Sequence, residues 1–82
     1  MPEEQLLARI TSDPAVMAGK PVIRGTRLTV DYILGLLANG ESVDGILAEY
    51  KRLTAEDIQA CLAFARKTVA ESSFIPLLPT ET

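Results

Sequence analysis

The strongest constraint on this chain is a change of hydrophobic period at Thr29. From there Val30, Ile33, Leu34 and Leu37 recur at i, i+3, i+4 and i+7, the spacing of one face of an amphipathic helix. Thr29 is a natural N-cap, Asp31 suits the first turn, and Asn39-Gly40 ends the run with a residue able to take the left-handed conformation. The pattern restarts at once, with Ser42 as cap and Val43, Ile46, Leu47 and Tyr50 on the apolar face. After Lys51-Arg52-Leu53, the string Thr54-Ala55-Glu56-Asp57 is a Thr-x-x-Asp relative of the capping box, opening a third helix. The spacing therefore predicts helices over 30–39, 43–50 and 55–71. The third is expected to bury Ile58, Cys61, Leu62, Ala65 and Val69 and to expose Glu56, Gln59, Ala63, Arg66 and Lys67.

Ahead of Thr29 the signals are those of a hairpin. Arg9-Ile10-Thr11 reads as a short strand closed by the turn dipeptide Asp13-Pro14, and Pro21-Val22-Ile23-Arg24, bracketed by Gly19 and Gly25, reads as its partner. Residues 8–28 are the hairpin region of a single domain spanning 1–71, and 72–82 form an apolar tail. The fold class is mostly α: a three-helix, helix-turn-helix bundle preceded by a short β-hairpin.

With 82 residues, the chain supports one domain and a thin core, which self-association as a homodimer would complete. There is no histidine and one cysteine, Cys61. These facts exclude a disulfide within the chain, a zinc site and a Ser-His or Cys-His nucleophile pair. No enzyme activity, metal or cofactor is expected. No apolar run approaches the ~18 residues a membrane span requires, and the acidic start at Glu3 and Glu4 is unlike a signal peptide, so the expected location is cytoplasmic, without membrane contact.

Net charge is −3, so nucleic-acid binding has to rest on local patches rather than on overall basicity. A helix-turn-helix arrangement would make the helix from Ala55 the reader of DNA, with 43–50 as its scaffold. The residues expected at DNA are Lys51, Arg52, Gln59, Ala63 and Arg66. Against this, Glu56 and Asp57 repel phosphate at the start of the reading helix, and Gln59 is its one good base reader. The thin surface at Ala60 and Ala63 suits a second copy of the chain equally well. Lys20, Arg24 and Arg27 lie with Gly19 and Gly25 in a stretch able to contact an anion or DNA backbone. The favoured alternative has the glycines making turns while Arg24 and Arg27 pair with carboxylates of the acidic helices. The tail carries Phe74, Ile75, Leu77 and Leu78, which either pack back on the bundle or fold into a partner's groove.

Ile10-Thr11 with Asp13-Pro14, Gly19-Lys20-Pro21-Val22-Ile23-Arg24-Gly25-Thr26-Arg27, Gly40-x-Ser42 and Leu53-Thr54-x-Glu56-Asp57-Ile58 together resemble the family known as domain of unknown function 433. The resemblance runs from about Ile10 to Ala70. It implies a homeodomain-like bundle behind a hairpin, and an antitoxin of a toxin–antitoxin module that neutralises a small PIN-like ribonuclease toxin and binds its own operator DNA. On that reading Phe74, Ile75, Leu77 and Leu78 would contact the toxin. The alternative is a protein-interaction or dimerisation module that does not bind DNA. Two positions depart from the family pattern: Thr29 and Lys51 stand where proline is common, both at helix boundaries.

Overall fold

Three capped helices in succession organise the computed structural model, which describes residues 1–72. Helices α2 (Val30–Ala38), α3 (Val43–Glu49) and α4 (Ala55–Glu71) fall within a residue of the expected bounds. Each starts at the predicted cap. Thr29 Oγ1 accepts from Tyr32 N at 3.0 Å, and Ser42 Oγ accepts from Gly45 N at 3.0 Å. Thr54 and Asp57 form a full capping box, each side chain accepting from the other's backbone N–H. Between α2 and α3, Gly40 takes φ 95°, its N–H bonding to Leu37 O while Glu41 N bonds to Leu36 O. That pair of bonds is a Schellman motif, and it satisfies two carbonyls that the end of α2 would otherwise leave open.

The hairpin also forms as expected. Strands β1 (Ile10–Thr11) and β2 (Val22–Ile23) pair antiparallel, with Ile10 opposite Ile23 and Thr11 opposite Val22. Asp13 Oδ1 accepts from Ala15 N at 2.9 Å, the side-chain turn that an Asp-Pro dipeptide favours. Beyond β2 the chain reverses at Ile23–Thr26, with Gly25 at φ 81°, and returns alongside β2: Ile23 N bonds to Leu28 O and Val30 N to Pro21 O. This return sets Arg27 and Leu28 immediately ahead of α2.

The core gathers Ile23, Val30, Ile33, Ile46, Leu53, Ile58 and Cys61, with Leu28, Leu37, Tyr50 and Phe64 packed against it. Every helix of the trio and the second strand contribute. One set of side chains therefore ties the hairpin to the bundle.

Two expectations need correction. No element is expected ahead of the hairpin region, yet a fourth helix, α1 (Glu3–Leu7), lies there, packed along α4. Glu3 Oε2 lies 3.5 Å from Arg66 Nη1, and Arg9, just past α1, reaches Asp57 at 3.0 Å. The two contacts make α1 antiparallel to α4. A five-residue helix is too short to persist alone in water, so packing rather than local sequence forms it. The second correction follows. The buried stripe of α4 is Asp57, Ile58, Ala60 and Cys61 with Phe64 behind it, whereas Leu62 and Val69 are 48% and 58% exposed. Apolar spacing pointed to Leu62 and Val69 because it sees one covered face. Cover by α1 rotates the buried side toward Ala60.

Among the described residues, no helix is long and apolar enough to cross a membrane.

Candidate nucleic-acid interface

Two basic segments, separate in sequence, converge on one cleft. The α3–α4 connection is a tight turn in which Leu53 N bonds to Tyr50 O at 3.0 Å, and Leu53 is buried as its anchor. Lys51 and Arg52 are the two central residues of that turn, so both project into solvent. Opposite them, the Gly25 reversal presents Arg27, also exposed. The cleft between has a volume of about 690 Å³. Its floor is the half-buried trio Val16, Leu28 and Tyr50; its rim carries Arg27, Lys51 and Arg52, with Glu49 as the one carboxylate among the described residues of the lining.

Tyr50 is held in position from α2. Its hydroxyl and that of Tyr32 are 2.6 Å apart, and the rings meet edge to face with centroids 6.2 Å apart. The hydrogen bond between the two hydroxyls, and after it desolvation, raises the Tyr50 phenol above its ordinary value, so Tyr50 remains neutral at physiological pH. The edge-to-face pair links α2 to the residue that opens the turn carrying Lys51 and Arg52.

The three cations of the glycine-bracketed stretch are not brought together. Arg24 directs Nε and Nη2 at Ala8 O, at 3.1 and 2.9 Å, stapling β2 to the end of α1. Lys20 is exposed outside the cleft lining. Of the three, Arg27 alone joins the cleft. The expected pairing of Arg24 and Arg27 with helix carboxylates is therefore corrected. Arg24 spends its fork on a backbone carbonyl, and among the described residues Arg27 has no carboxylate within ion-pair distance.

On α4, Gln59 and Arg66 are exposed and Ala63 is half-buried; none of the three lines the cleft. Arg66 makes its exposed ion pair with Glu3, and Ala60, expected as open surface, is fully buried. Phe74, Ile75, Leu77 and Leu78 lie outside the described residues. Cys61 is buried, and desolvation followed by the charge of Asp57 pushes its thiol up to about 11, leaving it protonated and a poor nucleophile. Among the described residues, no three His, Cys, Asp or Glu side chains come together as a metal-binding group.

Sequence reasoning missed the cleft floor and the Arg9–Asp57 contact. Val16, Leu28 and Tyr50 belong to three different local patterns, and nothing in their spacing signals that they meet. Arg9 carried a faint signal, as a cation at the start of a strand in an otherwise acidic segment.

Comparison with known proteins gives this geometry its setting. Residues 10–65 match the family described as protein of unknown function, DUF433. The chain belongs to the DUF433 family. An uncharacterized protein of Sinorhizobium fredii is 38% identical over 56 residues, covering 68% of this chain and 25% of that protein. The chain thus spans about a quarter of the length of that relative. The crystal structure of a DUF433 member from Anabaena variabilis superposes with a TM-score of 0.73 at 29% identity, over 83% of this chain and 67% of the other. The hairpin, both helix turns and most of α4 fall inside the DUF433 match, and so do Arg27, Lys51 and Arg52.

Proposed function

We propose that this DUF433 chain is a non-enzymatic, cytoplasmic DNA-binding regulator of antitoxin type. The observation that carries the DNA-binding half is the convergence of Arg27, Lys51 and Arg52 on one side of a three-helix bundle whose net charge is negative. Phosphate contacts position a protein on duplex and need no base-reading side chains. That suits a face rich in cations beside a reading helix poor in Asn, Gln and Arg. A dimer would present the cluster twice and double the electrostatic term. The antitoxin half, with a PIN-like ribonuclease as partner, rests on the family resemblance and on the apolar Phe74–Leu78 segment.

Binding of a fluorescent duplex from the upstream region, compared with a random duplex over a salt series, tests the DNA half. Equal affinity for both at every salt concentration removes operator regulation and leaves at most non-specific binding. A pull-down with the full chain beside a version ending at Ser73 tests the antitoxin half; a nuclease-like partner retained only by the full chain supports it.

One observation favours the second reading, a protein-interaction module. Leu62 and Val69 stand exposed a heptad apart on α4, an arrangement suited to a second helix.

A further inference from the structure

Binding to a duplex backbone uses only half of the cleft. Phosphates meet the rim, where Arg27, Lys51 and Arg52 are exposed, and leave the floor of Val16, Leu28 and Tyr50 facing water. Small-molecule sites have the opposite composition from a phosphate grip: an apolar, concave lining of roughly 300–1,000 Å³ with a few polar groups that fix orientation. The cleft meets that description at about 690 Å³, with aliphatic and aromatic side chains below and guanidinium groups above.

We propose that the cleft is a receptor for a small amphipathic carboxylate, an acid with an aliphatic or aryl body and one anionic head, and that its occupancy displaces nucleic-acid phosphate. The body lies on Val16, Leu28 and Tyr50, and the carboxylate lies between Arg27 and Arg52, where a planar guanidinium can bind it through two parallel hydrogen bonds. Glu49 on the rim disfavours a second negative charge on the ligand, so a monoanion fits better than a dianion. The competition follows from shared groups: the cations that hold the carboxylate are those offered to phosphate. Only this regulatory half rests on the DNA-binding reading.

The test is an NMR titration of the full chain with octanoate, acetate and 1-octanol, followed by duplex binding with and without octanoate. Octanoate is expected to give saturable shifts at Val16, Leu28 and Tyr50. Its affinity should exceed that for acetate (head alone) and octanol (body alone) by about tenfold or more. Arg27→Ala and Arg52→Ala, both at exposed positions, should each weaken octanoate by about tenfold, because each removes a charge-assisted pair without disturbing the core. Shifts that are scattered, or equal for octanoate and octanol, overturn the receptor. Octanoate binding that leaves duplex affinity unchanged overturns the competition. The titration contains no DNA, so a protein that fails to bind duplex at any salt concentration contradicts the DNA reading while the octanoate result still decides the receptor.

Discussion

Arg9 and Asp57, 48 residues apart, meet at 3.0 Å and join the turn between α1 and β1 to the first turn of the last helix. Asp57 is largely buried, and its two oxygens have different partners: Oδ1 accepts from Arg9 and Oδ2 from Thr54 N. Removing the carboxylate breaks a cap and an ion pair together. Asp57→Ala is expected to destabilise the fold by about 2–3 kcal/mol, and Thr54→Ala by about 1 kcal/mol, as for removal of an N-cap alone. Arg9 is a third exposed, so solvent screens its share, and Arg9→Ala is expected to cost about 1 kcal/mol. Urea denaturation of the three single variants and of the Arg9/Asp57 double variant checks this; strict additivity of the two would mean that the ion pair contributes nothing.

Truncations along α4 separate its true buried face from the one its apolar spacing suggests. Ile58 is 1% exposed, so Ile58→Ala is expected to cost about 2–5 kcal/mol through reduced burial and a residual cavity. For a chain of 82 residues that is a large part of the total stability. Leu62→Ala and Val69→Ala, at positions about half or more exposed, should stay within about 0.5 kcal/mol in the monomer. Thermal melts at low protein concentration measure all three.

The contrast on α4 also shows what is legible in the sequence. Caps at Thr29, Ser42 and Thr54, the stop at Gly40 and the strands around Ile10 and Ile23 are readable because each depends on residues a few positions apart. What escapes is non-local. Helix α1 exists only against α4, so no pattern within residues 3–7 announces it, and its presence is what changes the buried side of α4. The candidate site divides in the same way. Lys51 and Arg52 are readable as a cationic turn, but their partnership with Arg27 requires the return of the chain alongside β2. Arg24 looks equivalent to Arg27 in sequence and differs only because the carbonyl of Ala8 lies within its reach.

Gly40 supports the first helix turn through its backbone alone. A Cβ placed there meets nothing within 4 Å, so Gly40→Ala has no steric clash to answer for. Its φ of 95° is nonetheless unfavourable for an L-residue, and the expected loss of stability is about 1–2 kcal/mol. Calorimetry of Gly40→Ala beside the helix-interior variant Gly35→Ala checks this. Gly35 shows no positive φ and no neighbour within 4 Å of its Cβ, so that substitution should be neutral or stabilising.

Cys61 links stability to alkaline pH. Its thiol rises from an ordinary 9.0 to about 11 in the folded chain, so the folded state holds the proton more tightly than the unfolded one. The resulting stabilisation is complete below pH 9 and is lost as pH climbs through about 11. Cys61→Ala should flatten the decline of stability over that window. In the native chain at pH 8, a disulfide reagent such as Ellman's should modify Cys61 far more slowly than in denaturant.

The most direct test of the central claim is the salt dependence of duplex binding by the unaltered chain and by the Arg27→Ala/Lys51→Ala/Arg52→Ala triple variant. If these three side chains grip phosphate, the slope of log affinity against log salt should become shallower by about 0.9 for each phosphate that is no longer neutralised, and affinity at low salt should fall on every sequence. An unchanged slope in the triple variant would contradict the account and place any nucleic-acid binding elsewhere on the molecule.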